Sequence, residues 1–422
     1  MFILNDFSVV TSFIATYELF ISLLSEPWIL KTLGFAILVG SVMALIEKSG
    51  GIGGFVEYVV EQKSHVTSAR SSLMLSYIIG VVIFIESSIT ALISGAVGKP
   101  LCDRYQVPHA KLAYVCDSTS APISSLIILN GWGALLLGLV STQISLGMIE
   151  GNGVDILIDA VMYNFYAISA LVVTFLSVYF SIDIGAMKDA KFTPSSESEI
   201  HLESKSMYYM ILPIFLMIAL VFVFLYLTGD GDILKGSGSS SIFYTMLSTL
   251  LFMLFYYVPT KNMNLGIWIK TSLSGAKKLF PIAMILLLAF AIGKVTGELK
   301  TGLYLASLAS ESLSIYLLAG VVFLLSSLIA FSTGTSWGTF SIMIPVAVPM
   351  AVAMDGNVAL CIGAVISGGV FGDHCSPISD TTIISSMAAD CEVIEHVRTQ
   401  LPYALISGFV ALILFTVFSF IS

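Results

Sequence analysis

Long apolar runs with scarcely a charge in them recur along this chain, and they decide its solvent before any question of fold. A helix needs about 20 predominantly apolar residues to cross a bilayer. Runs of that kind lie near 29–47, 72–98, 122–144, 155–181, 206–228, 240–259, 279–296, 316–331, 340–354 and 402–421. The stretches 7–25 and 358–371 read as further crossings or half-crossings. Only 11% of the residues are charged, against about 25% in a soluble domain. An outer-membrane barrel would need an alternating ten-residue pattern, and the sequence has none. The expectation is an all-α polytopic membrane protein.

The longest polar stretch, "IDIGAMKDAKFTPSSESEIHLESK" (182–205), divides the chain into a first half (1–181) and a second (206–422). It carries Lys188, Lys191 and Lys205, whereas "GDGDILKGSGSSS" (229–241) carries only Lys235. The positive-inside bias therefore puts 182–205 in the cytoplasm and 229–241 outside. Lys99, Arg104 and Lys111 suggest another cytoplasmic loop, and the lysines at 261, 270, 277 and 278 one more before 279–296.

The halves echo each other. With Pro100 laid on Pro345, "ESSITALISGAVGKP" (86–100) runs over "FSTGTSWGTFSIMIP" (331–345) and pairs Ser87, Ser88, Thr90 and Ser94 with Ser332, Thr333, Thr335 and Thr339. Downstream, "DSTSAPISS" (117–125) parallels "DHCSPISDT" (373–381) on Pro122 and Pro377. A duplicated unit in a membrane protein points to a transporter, and such repeats are commonly inverted. A count of simple crossings between the basic loops gives both copies one orientation, so some segments must be re-entrant or one loop misleads.

Each half should contain two interruptions of its helices: Glu86–Ser94 and Asp117–Ser125, then Ser332–Thr339 and Asp373–Thr382. Non-helical backbone at membrane depth is tolerated only where protein or a wet cavity surrounds it. Freed carbonyls, hydroxyls and carboxylates are hard oxygen ligands suited to small hard cations. A lone membrane Ser or Thr more often bonds back to a carbonyl one turn earlier. Clusters of them with an acid, at matching places in two halves, are harder to explain that way. An acid at mid-bilayer costs about 2.5–3.5 kcal/mol or more, which makes Glu86, Asp117, Asp373 and Asp380 functional candidates. Removal from water disfavours a charged carboxylate, so such a group can take a proton as a cation leaves. His374 could respond to pH or simply sit in a satisfied hydrogen bond. Trp132 and Trp337 read as packing residues.

These residues carry a resemblance. "AFSTGTSWGTFSIMIPVAVPMA" (330–351) and "ISGGVFGDHCSPISDTTIISS" (366–386) resemble the two signature stretches of the NhaC-type sodium/proton antiporters, and "KLAYVCDSTSAPISSL" (111–126) resembles their first-half segment. The likeness covers about residues 30–400 and places the chain beside the wider ion-transporter superfamily. It implies inverted repeats with two re-entrant hairpins, a transport domain moving elevator-fashion, and a scaffold that often dimerises. The family pattern has an acidic pair with a nearby Asn where this chain has "FIESSITAL", so Glu86 stands alone with Ser87 and Ser88. Relatives include a sodium-lactate/malate exchanger, which leaves an organic anion or amino acid as an alternative cargo.

The leading expectation is Na+/H+ exchange across the cytoplasmic membrane of a bacterium. Asp117, Ser118, Thr119 and Ser120 would line one side of the ion site. Asp373, Ser376, Asp380, Thr381 and Thr382 would line the other, joined by Thr333, Thr335 and Ser336, with Asn130 as a side-chain carbonyl ligand. Asp117 and Asp373 lead as proton or cation carriers, with Glu86 and His374 behind them. No cofactor is implied beyond Na+ as cargo.

Other classes fare worse. The surroundings "CDSTS" and "FGDHC" lack the pattern of an intramembrane aspartyl protease, although two aspartates sharing a proton is its chemistry. "KSGGIGGF" (48–55) is too loose for a nucleotide loop, so ion gradients would drive transport. The net charge of -9 argues against nucleic acid. The N-terminus "MFILNDFSVV" shows no basic region or cleavage site of a signal peptide. The five cysteines form no CxxC pair.

Overall fold

The computed structural model describes residues 4, 7–61, 66–84, 87–128, 130–193, 205–232, 236–299, 304 and 314–421. Glu86 and Lys235 lie outside the described residues. Among the described residues the architecture is helical, with no strand. The first half contains α1 (Val9–Ser25), α2 (Pro27–Lys48), α3 (Gly51–Glu61), α4 (Ala69–Val82), α5 (Ser87–Tyr105), α6 (His109–Leu126), α7 (Gly131–Ser145), α8 (Gly153–Met162) and α9 (Phe165–Tyr179). A short 3-10 turn follows at Gly185–Asp189. The second half contains α10 (Tyr208–Thr228), α11 (Gly238–Tyr257), α12 (Leu265–Glu298), α13 (Ile315–Thr333), α14 (Ser336–Ala353), α15 (Val358–Cys375), α16 (Asp380–Ala389) and α17 (Val393–Ile421). Among the described residues six helices are long and apolar enough to cross a membrane, or eight if each of two bent pairs counts as one span. The protein is a multi-pass membrane protein.

Several runs that read as single spans are broken. The run 72–98 is two helices, one ending at Val82 and the next starting at Ser87. In the run 122–144, α6 ends at Leu126 and α7 starts at Gly131, bent by 48°. The run 155–181 breaks at Tyr163–Asn164, where α8 and α9 meet at 42°. Polar side chains explain the restarts. Asn130 and Asn164 are the N-caps of α7 and α9, and their Oδ1 atoms accept from Gly133 N and Ala167 N. That satisfies amide groups which a helix start leaves unpaired.

Two expected breaks fall elsewhere. Asp117–Ser125 is helical through Leu126, with Pro122 inside α6, and Ser87–Ser94 is the first half of α5. A proline costs a membrane helix one backbone bond, but neighbouring helices and side chains can re-satisfy the freed carbonyl. The second-half breaks are where the sequence places them. Gly334, at φ 65°, ends α13 in the left-handed region, and Thr335 caps α14. Glycine is required there because a Cβ would sit 2.8 Å from Ile378 Cγ1 and from its carbonyl oxygen. Ser376–Ser379, with Pro377 in it, separates α15 from α16.

The basic residues counted as loop markers are mostly helical. Lys270, Lys277 and Lys278 are exposed on α12, an unbroken helix of 34 residues. At 1.5 Å per residue it is about 51 Å long, well beyond the hydrocarbon core of about 30 Å. Lys111 is on α6 and only 5% exposed.

Packing sorts the helices into two groups that cut across the sequence halves. Helices α1–α3 pack with α10–α12, chiefly through α2 against α12. Helices α4–α6, α8 and α9 pack with α13 and α15–α17. Helices α7 and α14 bridge the groups, each touching α12. In the second group α13 and α15 lie against each other most closely. Gly368 and Gly372, four apart on α15, face the carbonyls of Phe323 and Ser327 so tightly that a Cβ would come within 2.4 and 2.1 Å of them. Small residues at this spacing let membrane helices approach backbone to backbone.

Candidate functional site

Asp117 sits mid-way along α6 with no solvent exposure. Its Oδ2 is the meeting point of three side chains from two other helices. Gln400 Nε2 on α17 donates to it at 2.7 Å, His396 Nε2 on the same helix lies 3.2 Å away, and Thr382 Oγ1 on α16 lies 3.3 Å away. The second oxygen, Oδ1, has no hydrogen-bond partner, and His374 Nε2 stands 3.9 Å from it. Gln400 Nε2 also donates to the carbonyl of His374 at 2.9 Å, so one amide ties α17 to both α6 and the end of α15.

Asp373 is 1% exposed in the last turn of α15. Ser336, the first residue of α14, donates to its Oδ2 at 2.7 Å and lies 3.1 Å from the carbonyl of Gly369. Asp373 Oδ1 has no partner. Thr382 connects the two acids, since its Oγ1 also lies 3.5 Å from the carbonyl of Asp373. One hydroxyl therefore stands between the carboxylate of Asp117 and the main chain of Asp373, from opposite halves of the sequence, and each acid has one oxygen without a hydrogen-bond partner among the described residues. Gln400 Oε1 and His396 Nδ1 nearby are likewise buried without partners. Among the described residues no three or more His, Cys, Asp or Glu are grouped to hold a metal ion. The chemistry on offer is a mixed set of carboxylate, amide, carbonyl and hydroxyl oxygens, which suits a proton or a small hard cation.

The other candidates scatter. Ser118 is buried beside Asp117, whereas Thr119 and Ser120 turn back to the carbonyls of Val115 and Asp117. Thr333 is exposed and bonds to the carbonyl of Ile329. Thr335 caps α14 through Gly338 N at 3.3 Å. Ser376 donates to the carbonyl of Phe331 at 2.9 Å, pinning the α15–α16 break to the end of α13. Thr381 pairs with Ser379, and Asp380 is exposed, accepting from Thr381 N at 2.8 Å. The Asn130 carbonyl is occupied by Gly133 N, and its amide donates to the carbonyls of Phe84 and Ser124. His374 Nδ1 is 3.0 Å from the Tyr166 hydroxyl. Trp132 and Trp337 pack edge-on against each other.

Reading the sequence missed three contributors. His396 and Gln400 precede the last apolar run, 402–421, and have no role among the sequence expectations. Their spacing of four residues, one helical face, was the available signal. Asn164 was hidden inside a run read as one span. Its Nδ2 donates to Ser125 Oγ at 2.8 Å and its Oδ1 accepts from Ser367 Oγ at 2.9 Å, which bolts the α8–α9 break between α6 and α15.

Comparison with known proteins adds the following. The model of the Na+/H+ antiporter family matches residues 131–420. An uncharacterised protein of Haemophilus influenzae is 35% identical over 395 residues, 88% of this chain and 75% of that protein. A malate-2H+/Na+-lactate antiporter of Bacillus subtilis is 36% identical over 107 residues, 25% of this chain and 22% of that antiporter. The crystal structure of the Alcanivorax borkumensis YdaH transporter, described as having an unusual topology, superposes with a TM-score of 0.61 at 14% identity, covering 98% of this chain and 88% of that one. The fold is that of a transporter.

Proposed function

Since the chain belongs to the Na+/H+ antiporter family and is a secondary transporter rather than an enzyme, we propose that it exchanges Na+ for H+ at the site formed by Asp117 and Asp373. One observation carries this reading: two buried acids, with Thr382 between the carboxylate of Asp117 and the main-chain carbonyl of Asp373, each with a carboxylate oxygen that no described residue satisfies. A buried carboxylate left this way needs either a proton or a cation, and competition between the two is the minimum requirement for antiport. Ser336, Thr382 and the carbonyls of Gly369 and Asp373 are the oxygen atoms at hand for Na+ beside the acids.

The same reading has the group α4–α6, α8, α9, α13 and α15–α17 as the transport domain. Helices α1–α3 and α10–α12 form the scaffold, in a homodimer of the bacterial cytoplasmic membrane, and the motion is elevator-like. The two packing groups support that division. The matched inverted halves at 1–181 and 206–422 remain part of the proposal, supported by interruptions that follow in the same order: α4/α5 with α13/α14, and α6/α7 with α15/α16.

The test is proton flux in everted vesicles after a sodium pulse. Asp117→Asn and Asp373→Asn are each expected to abolish the sodium response. A response that persists in both variants removes the assignment. A second reading, sodium-coupled exchange of a small organic acid or amino acid, draws on the similarity to the malate-2H+/Na+-lactate antiporter. Uptake of a labelled organic acid driven by Na+, without cation-dependent proton flux, would favour it.

A further inference from the structure

A second polar centre lies nearer the start of α6, on a different face from Asp117. Lys111 is six residues before Asp117, about 9 Å along the helix, and its ammonium group is nearly sealed from solvent. It has four partners: Ser177 Oγ at 2.5 Å, Asp183 Oδ1 at 2.7 Å, the Tyr403 hydroxyl at 3.1 Å and the carbonyl of Ile182 at 3.2 Å. It also lies over the rings of Tyr403 and Tyr114, 4.8 and 5.4 Å from their centres. Only Asp183 among these carries a charge, and its side chain is 47% exposed. The counter-ion of a buried cation therefore hangs from a surface segment rather than from the helical frame.

Beside this group is a half-open pocket of about 170 Å³, room for several waters. Lys111, Ser177, Ser181 and Asp183 line it together with Arg70 of α4, and Leu73 and Met187 contribute apolar wall. Arg70 is exposed and reaches over the Tyr179 ring. The lining thus offers two cations against one anion, with two hydroxyls and an apolar flank. An inorganic anion has no use for that flank. A short organic acid uses both, since pockets for small solutes combine apolar wall with a few convergent polar groups.

We propose that this cavity binds a small organic carboxylate, whose carboxyl group takes the place of Asp183 on Lys111 while Arg70 closes over it. The exchange is chemically even-handed. Lys111 is already out of water, so one carboxylate replaces another without a new desolvation of the ammonium, and the displaced Asp183 returns to solvent. The site is separate from the Asp117–Asp373 centre and does not depend on which cation is exchanged there.

The test uses thermal unfolding of the full-length purified protein at matched Na+ and ionic strength, with L-lactate, lactamide, sulfate or chloride as the added solute. Lactate is expected to raise the unfolding midpoint over the chloride baseline, while lactamide and sulfate leave it unchanged. Asp183→Ala strips Lys111 of its counter-ion, so the lactate shift should grow in that variant, as chemical rescue. Arg70→Gln, a change at an exposed position, should weaken half-saturation by lactate about tenfold, the loss of one charge-assisted contact. Equal shifts with sulfate and lactate, or no lactate shift in Asp183→Ala, would overturn the proposal. So would a lactate shift that disappears in Asp373→Asn but is untouched by Arg70→Gln, because the carboxylate would then sit at the central site.

Discussion

Ser336→Ala probes the Asp373 half of the ion site with a change of one oxygen atom. The Ser336 hydroxyl has a single proton and two acceptors within reach, Asp373 Oδ2 at 2.7 Å and the Gly369 carbonyl at 3.1 Å. When Asp373 is ionised or holds a cation, donation to the carboxylate wins, because a hydrogen bond to a charged group contributes about 1.5–3 kcal/mol against about 1 kcal/mol for a neutral one. When Asp373 is protonated, the hydroxyl can turn to Gly369 and keep the neutral bond. The difference, about 0.5–2 kcal/mol, is the part of the interaction that favours the Na+-loaded form over the protonated form. Removing it should raise the Na+ concentration for half-maximal exchange about 2- to 30-fold at fixed pH. Ser336→Thr, which retains the hydroxyl, should stay closer to the parent. The assay is the Na+ titration of proton flux in everted vesicles, at equal protein levels by immunoblot. A half-maximal Na+ concentration that does not move in Ser336→Ala would show that Asp373 is not where Na+ and H+ compete.

Other expectations bear on how the site is held. Gly334→Ala forces a Cβ into the left-handed turn against Ile378; a loss of about 1–3 kcal/mol should appear as a lower unfolding midpoint in detergent. Asn164→Leu removes the bolt between Ser125 and Ser367 and leaves both hydroxyls buried; a loss of about 2–5 kcal/mol should show as poor yield and early unfolding, and Asn164→Asp should recover less than wild type because it cannot donate to Ser125. Gln400→Leu takes the 2.7 Å donor from Asp117 and frees the His374 carbonyl. Exchange should fall by about tenfold or more in that variant, and unaltered flux would remove α17 from the site.

The apolar runs were legible because twenty uncharged residues admit few other fates, and so was the acid-and-hydroxyl character of the α15–α16 break. The exact breaks were less legible, for reasons particular residues make plain. Pro122 reads as a stop, yet the chain runs helically past it to Leu126, and Asn130 caps the next helix. Pro377 reads the same way and is a true break, because Ser376 bonds to Phe331 and Gly334 leaves room for Ile378. Those contacts are between segments over forty residues apart, and a local reading cannot see them. Lys111 misled in a different way. A lysine near a helix end counts as a loop marker until one knows that Asp183, Ser177 and Tyr403 converge on it from three other places in the chain.

The polar contacts also say which helices can slide. Asp117 Oδ2 draws donors from α16 and α17, and seven residues beyond His396 the Tyr403 ring stacks on Tyr114 of α6, centroids 4.3 Å apart. Shearing α6 past α17 would break two contacts to a buried carboxylate at about 1.5–3 kcal/mol each, a cost of about 3–6 kcal/mol that no aqueous exposure offsets. Helices α7 and α14 meet α12 instead, and Leu135, Leu139, Leu287, Phe290 and Met343 of these helices belong to one apolar core; apolar faces can exchange neighbours without stranding a charge. If the protein moves elevator-fashion, as proposed above, the sliding surface must run between α7/α14 and α12, with α6, α16 and α17 travelling as one body. A disulfide across the α6/α17 face should then leave Na+-dependent proton flux intact, and one tying α14 to α12 should stop it until reduced. The opposite pattern would refute this placement of the moving boundary.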